Sequence, residues 1–266
     1  MLTLALALAA LIGLTLGLLG GGGSILTVPV LVYVLGYAAK PAIVMSLPVV
    51  GVTSLVGAVL HWRLGNVRVG TAVAFGLLAM LGAFVGAKFA ALLSGSAQLV
   101  LLAVVMLAAA VSMLRGRRND STDSLRGTRP QLTLLAPVAL GVGVLTGLVG
   151  IGGGFLVVPA LVLLARVPMR EAVGTSLLVI AMNSGAGFVG YLGTVSIDWQ
   201  FLAGFTAVAV IGALAGTALA ARVPQAALKR VFAVFLLLLS AFVLYKNRDA
   251  FNPRATIPKA DTSPGI

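Results

Sequence analysis

Cysteine is absent from this chain, and acidic side chains number six in 266 residues. Without cysteine there is no disulfide framework, no thiol nucleophile and no thiolate metal ligand, and the redox compartment stays open. The acids are Asp120, Asp123, Glu171, Asp198, Asp249 and Asp261. Charged residues make up 9% of the chain, against about a quarter in soluble domains. A water-facing surface cannot be built from so few. Histidine occurs once, as His61. An intramembrane protease needs an acid pair, an HExxH helix or a serine with a histidine partner. One histidine at a segment end and no mid-segment acid exclude that class. Nothing calls for a cofactor or a metal ion.

What is present is apolar: 60% of residues are hydrophobic. The composition specifies an all-α polytopic membrane protein in contact with the lipid bilayer. The formal charge of +12 does not indicate nucleic acid. Lysine and arginine are shared among short loops, one linker and the tail, as in a membrane protein that obeys the positive-inside rule. The opening run MLTLALALAALIGLTLG lacks a basic n-region and reads as part of the first structural unit rather than as a signal peptide.

The chain is a duplication. GLLGGGGSILTVPVLV (17–32) lies against GLVGIGGGFLVVPALV (147–162) with ten of 16 positions identical. The same 130-residue offset pairs Lys40 with Arg170, Ser46 with Ser176, Ser54 with Ser184, Gly82 with Gly212 and Gly86 with Gly216. The expected organisation is a first transmembrane repeat (1–114), a polar linker (115–131), a second repeat (132–245) and a polar tail (246–266).

Each half divides into four apolar segments, roughly 2–36, 41–61, 69–93 and 97–114, then 132–165, 171–192, 199–221 and 228–245. About eight transmembrane helices in two four-helix repeats are expected. The first segment of each half, as one straight helix, would be about 52 Å long, so each opens with a glycine-broken or re-entrant helix. Four crossings per half would make the repeats parallel; a first segment that crossed twice would make them inverted. With linker and tail together on the cytoplasmic side, 11 basic residues face inward and six outward. The expected location is the inner (plasma) membrane with linker and tail cytoplasmic.

The break is the most informative feature. Gly20, Gly21, Gly22 and Gly23 interrupt an apolar run, followed by Ser24; the second copy offers Gly150, Gly152, Gly153 and Gly154. Non-helical backbone at membrane depth survives only when buried in protein or lining a wet cavity. The run Ser24–Gly36 is roughly 20 Å of helix, too short to span, so a half-helix begins inside the bilayer. Its first N–H groups have no internal partner and carry the positive end of the helix dipole. With glycine there, nothing blocks an approaching anion. Pro29 and Pro159 follow and cannot donate to the carbonyl four residues back. Close helix packing alone explains the GxxxG pairs Gly82/Gly86 and Gly212/Gly216 better than it explains four adjacent glycines. No P-loop lysine and no dinucleotide fingerprint accompany them.

GLLGGGGSILTVPVL, GLVGIGGGFLVVPAL and EAVGTSLLVIAMNSGAGFVGY (171–191) resemble the TauE/SafE family of membrane permeases over nearly the whole chain. The resemblance implies transport of sulfite, sulfonates or related sulfur anions across the inner membrane, often outward. The first half departs from the motif, with VMS (44–46) against GTS (174–176) and Thr53 against Asn183. An asymmetric site follows if these residues touch substrate.

Polar residues within apolar segments are few. Ser46 and Thr53 are seven apart, as are Ser176 and Asn183, hence each pair shares a helix face. With Thr175 they are candidate substrate ligands; the plainer role for lone hydroxyls is helix–helix bonding. Lys88 either attracts an anion or snorkels, and His61 reads as an interfacial anchor. No carboxylate relay or carboxylate sodium site is available, so outward anion movement is expected to need no proton coupling. The leading function is a secondary transporter of small anions, bound between paired half-helix N-termini. The alternative is a non-transporting membrane scaffold. Oligomeric state is left open.

Overall fold

The computed structural model describes residues 2–90, 95–115, 132–149, 154–191 and 197–246. These form helices and short connections, with no strand among the described residues. The first half contains α1 (Leu2–Leu19), α2 (Gly22–Pro29), α3 (Ala39–Arg63), α4 (Val69–Ala90) and α5 (Gly95–Arg115). The second contains α6 (Leu132–Val149), α7 (Gly154–Pro159), α8 (Met169–Tyr191), α9 (Trp199–Arg222) and α10 (Gln225–Lys246). Eight of these are long and two, α2 and α7, are short. Five helices, Pro41–Arg63, Val69–Gly86, Met169–Val189, Trp199–Arg222 and Gln225–Tyr245, are long and apolar enough to cross a bilayer by themselves. The chain is a multi-pass membrane protein.

Both short helices run on past their proline into one π-helical turn, Val30–Val34 and Ala160–Leu164. Leu35 N–H donates to Val30 O at 3.1 Å, and Ala165 N–H to Ala160 O at 3.1 Å. Proline has no N–H, so the ladder skips at that point, and the wider turn carries it to the loop.

The halves are interlocked. α1 packs on α9 and α6 on α4, so each repeat lends its first helix to the other. Small residues make this possible. A methyl at Gly13 would lie 1.8 Å from Ala209 O, and one at Gly17 2.2 Å from Ala213 O. From the α9 side, Gly212 and Gly216 stand 2.2 Å by the same measure from Ala10 O and Leu14 O. The α4–α6 crossing repeats this, with Gly82 against Leu140 O, Gly86 against Val144 O and Gly143 against Ala79 O. Without a hydrophobic drive between helices in lipid, such backbone-to-backbone contact supplies the packing. Gly82/Gly86 and Gly212/Gly216 are therefore packing glycines.

The same contacts give helix directions. α1 runs parallel to α9 and α6 parallel to α4, because residue numbers rise together along each crossing. α3 and α8, equivalent in the two repeats, run antiparallel: Leu47 lies against Gly187, Gly51 against Ser184 and Gly57 against Leu177. Equivalent helices that pack antiparallel are related by a twofold axis perpendicular to them, hence in the membrane plane. The repeats are inverted. The returning half-helix gives each repeat an odd number of segments, so the second starts upside down. Arg115, ending α5, and Lys246, ending α10, consequently lie at opposite ends of the bundle. The expected linker and tail themselves, 116–131 and 247–266, lie outside the described residues; the expectation that both leave on one side counted four crossings per half, whereas the helices that lead to them end on opposite sides.

Candidate functional site

The break is a tight reversal. Gly20 N–H donates to Leu16 O at 2.8 Å and closes α1. Gly20 then adopts φ +77°, a left-handed conformation that suits glycine. Gly21 caps α2 with no side-chain hydrogen bond, which leaves the first N–H groups of α2 without helical partners. α2 folds back along α1: a methyl at Gly23 would lie 2.4 Å from Ile12 O. Gly20, Gly21, Gly22 and Gly23 are all buried.

The two half-helix starts meet. A methyl at Gly154 would lie 3.2 Å from Ser24 Oγ and 2.7 Å from Ile180 Cγ1. Ser24 and Gly154 are equivalent under the 130-residue offset, so their contact lies on the twofold axis. Ile180 is at the middle of α8 (Met169–Tyr191), which sets this point near mid-bilayer. Inversion aims the two N-termini at each other from opposite sides. Gly150, Gly152 and Gly153 lie outside the described residues.

Around this point α8 presents one face. A methyl at Gly20 would sit 2.5 Å from Ser176 Oγ and 3.0 Å from Val158 Cγ2 of α7. Seven residues on, Asn183 shares the Ser176 face. Its Oδ1 is buried with no hydrogen-bond partner, and so is Thr53 Oγ1 at the equivalent position on α3. A buried polar atom left unpaired costs about 1–3 kcal/mol, and each repeat carries one at this position of its equivalent helix.

The serines behave differently. Ser24 Oγ donates to Gly21 O at 2.7 Å, Ser46 Oγ to Ile43 O at 2.7 Å and Ser176 Oγ to Val173 O at 2.8 Å. With their protons on their own helices, they present oxygen lone pairs, not donors. Thr175 is turned elsewhere: its Oγ1 accepts from Arg68 N–H at 3.1 Å, in the α3–α4 connection. Lys88 is exposed in the last turn of α4, with Nζ 4.8 Å from the Phe84 ring centroid. It takes no part in the centre.

His61 is not the interfacial anchor its position suggested. It is 2% exposed, and its Nε2 lies 3.2 Å from Gly17 O in the last turn of α1. Trp62, its neighbour, faces outward at 62% exposure. The seven-residue step from Ser54, also buried, put His61 on an inward face and was the available signal. Nearby, Arg68 Nε pairs with Glu171 Oε2 and joins the repeats. Arg170 donates to Ala221 O and Val223 O at the end of α9, where a cation suits the helix dipole.

The chain is similar to known proteins over most of its length. The family model described as "Sulfite exporter TauE/SafE" matches residues 5–243. A "Probable membrane transporter protein" of Xylella fastidiosa is 34% identical over 241 residues, covering 89% of this chain and 92% of that protein. "Probable membrane transporter protein YdhB" of Bacillus subtilis is 27% identical, over 85% of this chain and 92% of its own length. A Haemophilus influenzae protein with the same "Probable membrane transporter protein" description is 26% identical, over 91% and 98%. No solved structure matches.

Proposed function

The chain belongs to the sulfite exporter TauE/SafE family, a membrane transporter on that ground, and from this premise we propose that it carries small anions, sulfur oxyanions or organosulfonates, outward across the plasma membrane. The observation that carries the reading is the contact of Ser24 with Gly154, which sets two half-helix starts against each other. Each N-terminus is worth about half a positive charge, and two of them converge beside the middle of α8, whose acid, Glu171, stands in its first turn and is paired with Arg68. A desolvated anion meets bare N–H groups there without needing lysine or arginine. In this reading Gly20, Gly21, Gly22, Gly23 and Ser24 form one wall, with Gly150, Gly152, Gly153 and Gly154 as the other. Thr53 adds an unpaired hydroxyl and Asn183 an amide whose Nδ2, not its Oδ1, donates to an anion, while Ser46 and Ser176 line the space with their protons held by their own helices. The interior-negative potential expels a monovalent anion with about 2.3 kcal/mol per 100 mV.

The helix directions also sharpen the orientation. Among the described residues one end of the bundle carries Arg63, Arg68, Arg115, Arg166, Arg170, Arg222, Lys229 and Arg230, eight in all, and the other carries Lys40, Lys88 and Lys246, three in all. On the positive-inside rule the end with Arg115 is the cytoplasmic one in this reading, and the end with Lys246 the outer one.

The test is flux in proteoliposomes with sulfite, isethionate, thiosulfate and acetate. Saturable movement of at least one, abolished by Gly22→Leu in protein that still inserts and stays monodisperse, supports a carrier. No movement or binding of any small anion would sink it and favour the scaffold.

A further inference from the structure

The chain's one histidine has no part in the carrier as described, yet it is built into the bundle beside the break. Gly17 O is among the last carbonyls of α1, which have no partner within their own helix. His61 Nε2 meets it at 3.2 Å. The ring therefore carries its proton on Nε2 when neutral, because a carbonyl only accepts. Nδ1 is buried and has no hydrogen-bond partner. The imidazole is thus held by one nitrogen and left open at the other, at the negative end of a helix.

Gly17 lies one turn, about 5 Å, before Gly20. The C-terminus of α1 and the N-terminus of α2 consequently point into the same region with opposite signs. The negative end weakens the attraction of α2 for an anion. A proton on His61 reverses that, since a cation at a helix C-terminus offsets the dipole. The groups that face His61 leave it to act alone. α1 carries no charged residue from Leu2 to Leu19. On α8, Gly174 packs against the His61 side chain; of the charges one turn away, Glu171 is held by Arg68 and Arg170 by Ala221 O and Val223 O. The α3–α4 connection offers Asn66, whose N–H donates to His61 O, and Arg68. α9 carries a single charge, Arg222, in its last turn. In the second repeat the equivalent position is Tyr191, so the device belongs to one half alone.

We propose that His61 is the titratable group of the anion site, and that its protonation and the binding of an anion between α2 and α7 are linked. The proposal rests on the carrier reading above. Linkage is reciprocal: an anion favours proton uptake as much as the proton favours the anion. Histidine is the side chain that switches between pH 5 and 8. The sequence offered no carboxylate for such a role; the contact of His61 with Gly17 O sets an imidazole beside the break instead.

The experiment is calorimetric binding of isethionate, whose sulfonate does not titrate in this range, to purified full-length protein at pH 5.5, 6.5 and 7.5. Binding about tenfold tighter at pH 5.5 than at 7.5 is expected. The enthalpy at pH 6.5 should vary with the buffer's ionisation enthalpy, which reports proton uptake. His61→Gln keeps a donor for Gly17 O but cannot titrate; its affinity should be flat with pH and equal to the wild-type value at pH 7.5. Glu171→Gln should keep the wild-type slope. Wild-type affinity independent of pH overturns the linkage and leaves the carrier standing, as does a His61→Gln slope equal to wild type or a Glu171→Gln slope that vanishes. Absence of isethionate binding at every pH overturns the linkage for this anion, and the flux panel then judges the carrier separately. The buffer dependence of the wild-type protein decides the matter even if His61→Gln fails to stay monodisperse.

Discussion

Glycine serves two purposes in this chain, and the contrast between the crossings and the break separates them. At the α1–α9 and α4–α6 crossings, glycines at four-residue spacing have helical neighbours and face a carbonyl of the partner helix. There the missing side chain lets two backbones touch. At Gly20 the backbone itself is left-handed, and the residues after it begin a helix with bare N–H groups. There the missing side chain lets the chain turn and leaves a helix end open. The first use holds the bundle together; the second, in the proposed carrier, creates the place an anion enters.

Substitutions at the crossings should have the largest effect. Gly216→Val sets a Cβ 2.2 Å from Leu14 O and 2.9 Å from Leu18 N. Backbone on both sides cannot yield, and the cost should exceed about 3 kcal/mol. Loss of the monodisperse species on size exclusion is expected; a well-folded Gly216→Val would break the distinction. Gly20→Ala comes next. Left-handed φ costs about 1–2 kcal/mol for a non-glycine residue, and the new Cβ meets Ser176 Oγ at 2.5 Å. Flux should fall at least about tenfold in protein that still folds. Adding Ser176→Ala should restore part of it by removing the clash but not the backbone strain.

The polar pair should move function without moving stability. Thr53→Val removes an unpaired buried hydroxyl, so the thermal midpoint should hold or rise slightly. Anion affinity should drop about tenfold, as for the loss of one good hydrogen bond. Asn183→Leu should behave alike, and a fall in stability without a loss of affinity would make both residues structural. The smallest effect belongs to Glu171→Gln. The ion pair with Arg68 is nearly a third exposed on both sides, and such pairs are worth about 1 kcal/mol at most. A shift of the melting midpoint by a few degrees or less is expected.

Orientation can be checked independently. The chain has no cysteine, so single cysteines at Ser121 and Thr256 can be labelled from one side of intact cells. The inverted repeats require the two to label from opposite sides.

Much of this was legible in sequence because it depends on composition and register. Sixty per cent apolar residues and six acids fix the class. The 130-residue offset equates Ser24 with Gly154 and Thr53 with Asn183 before any coordinate is known. Four adjacent glycines in an apolar run imply a break. Hydroxyl roles were not legible, because Ser46 and Ser176 bond to carbonyls three residues back, a choice made by rotamer. His61 was misplaced because the sequence shows where a segment ends, not which neighbour covers it.

Sequence alone therefore determined that the protein is a doubled bundle of membrane helices with a glycine break in each half. Tertiary structure decided that the halves are inverted, that each gives its first helix to the other, and that Ser24 and Gly154 meet beside the middle of α8. A repeat in one dimension records equivalence but not direction. Direction depends on whether a short helix returns or continues, and Gly20, with its φ of +77°, turns the chain back.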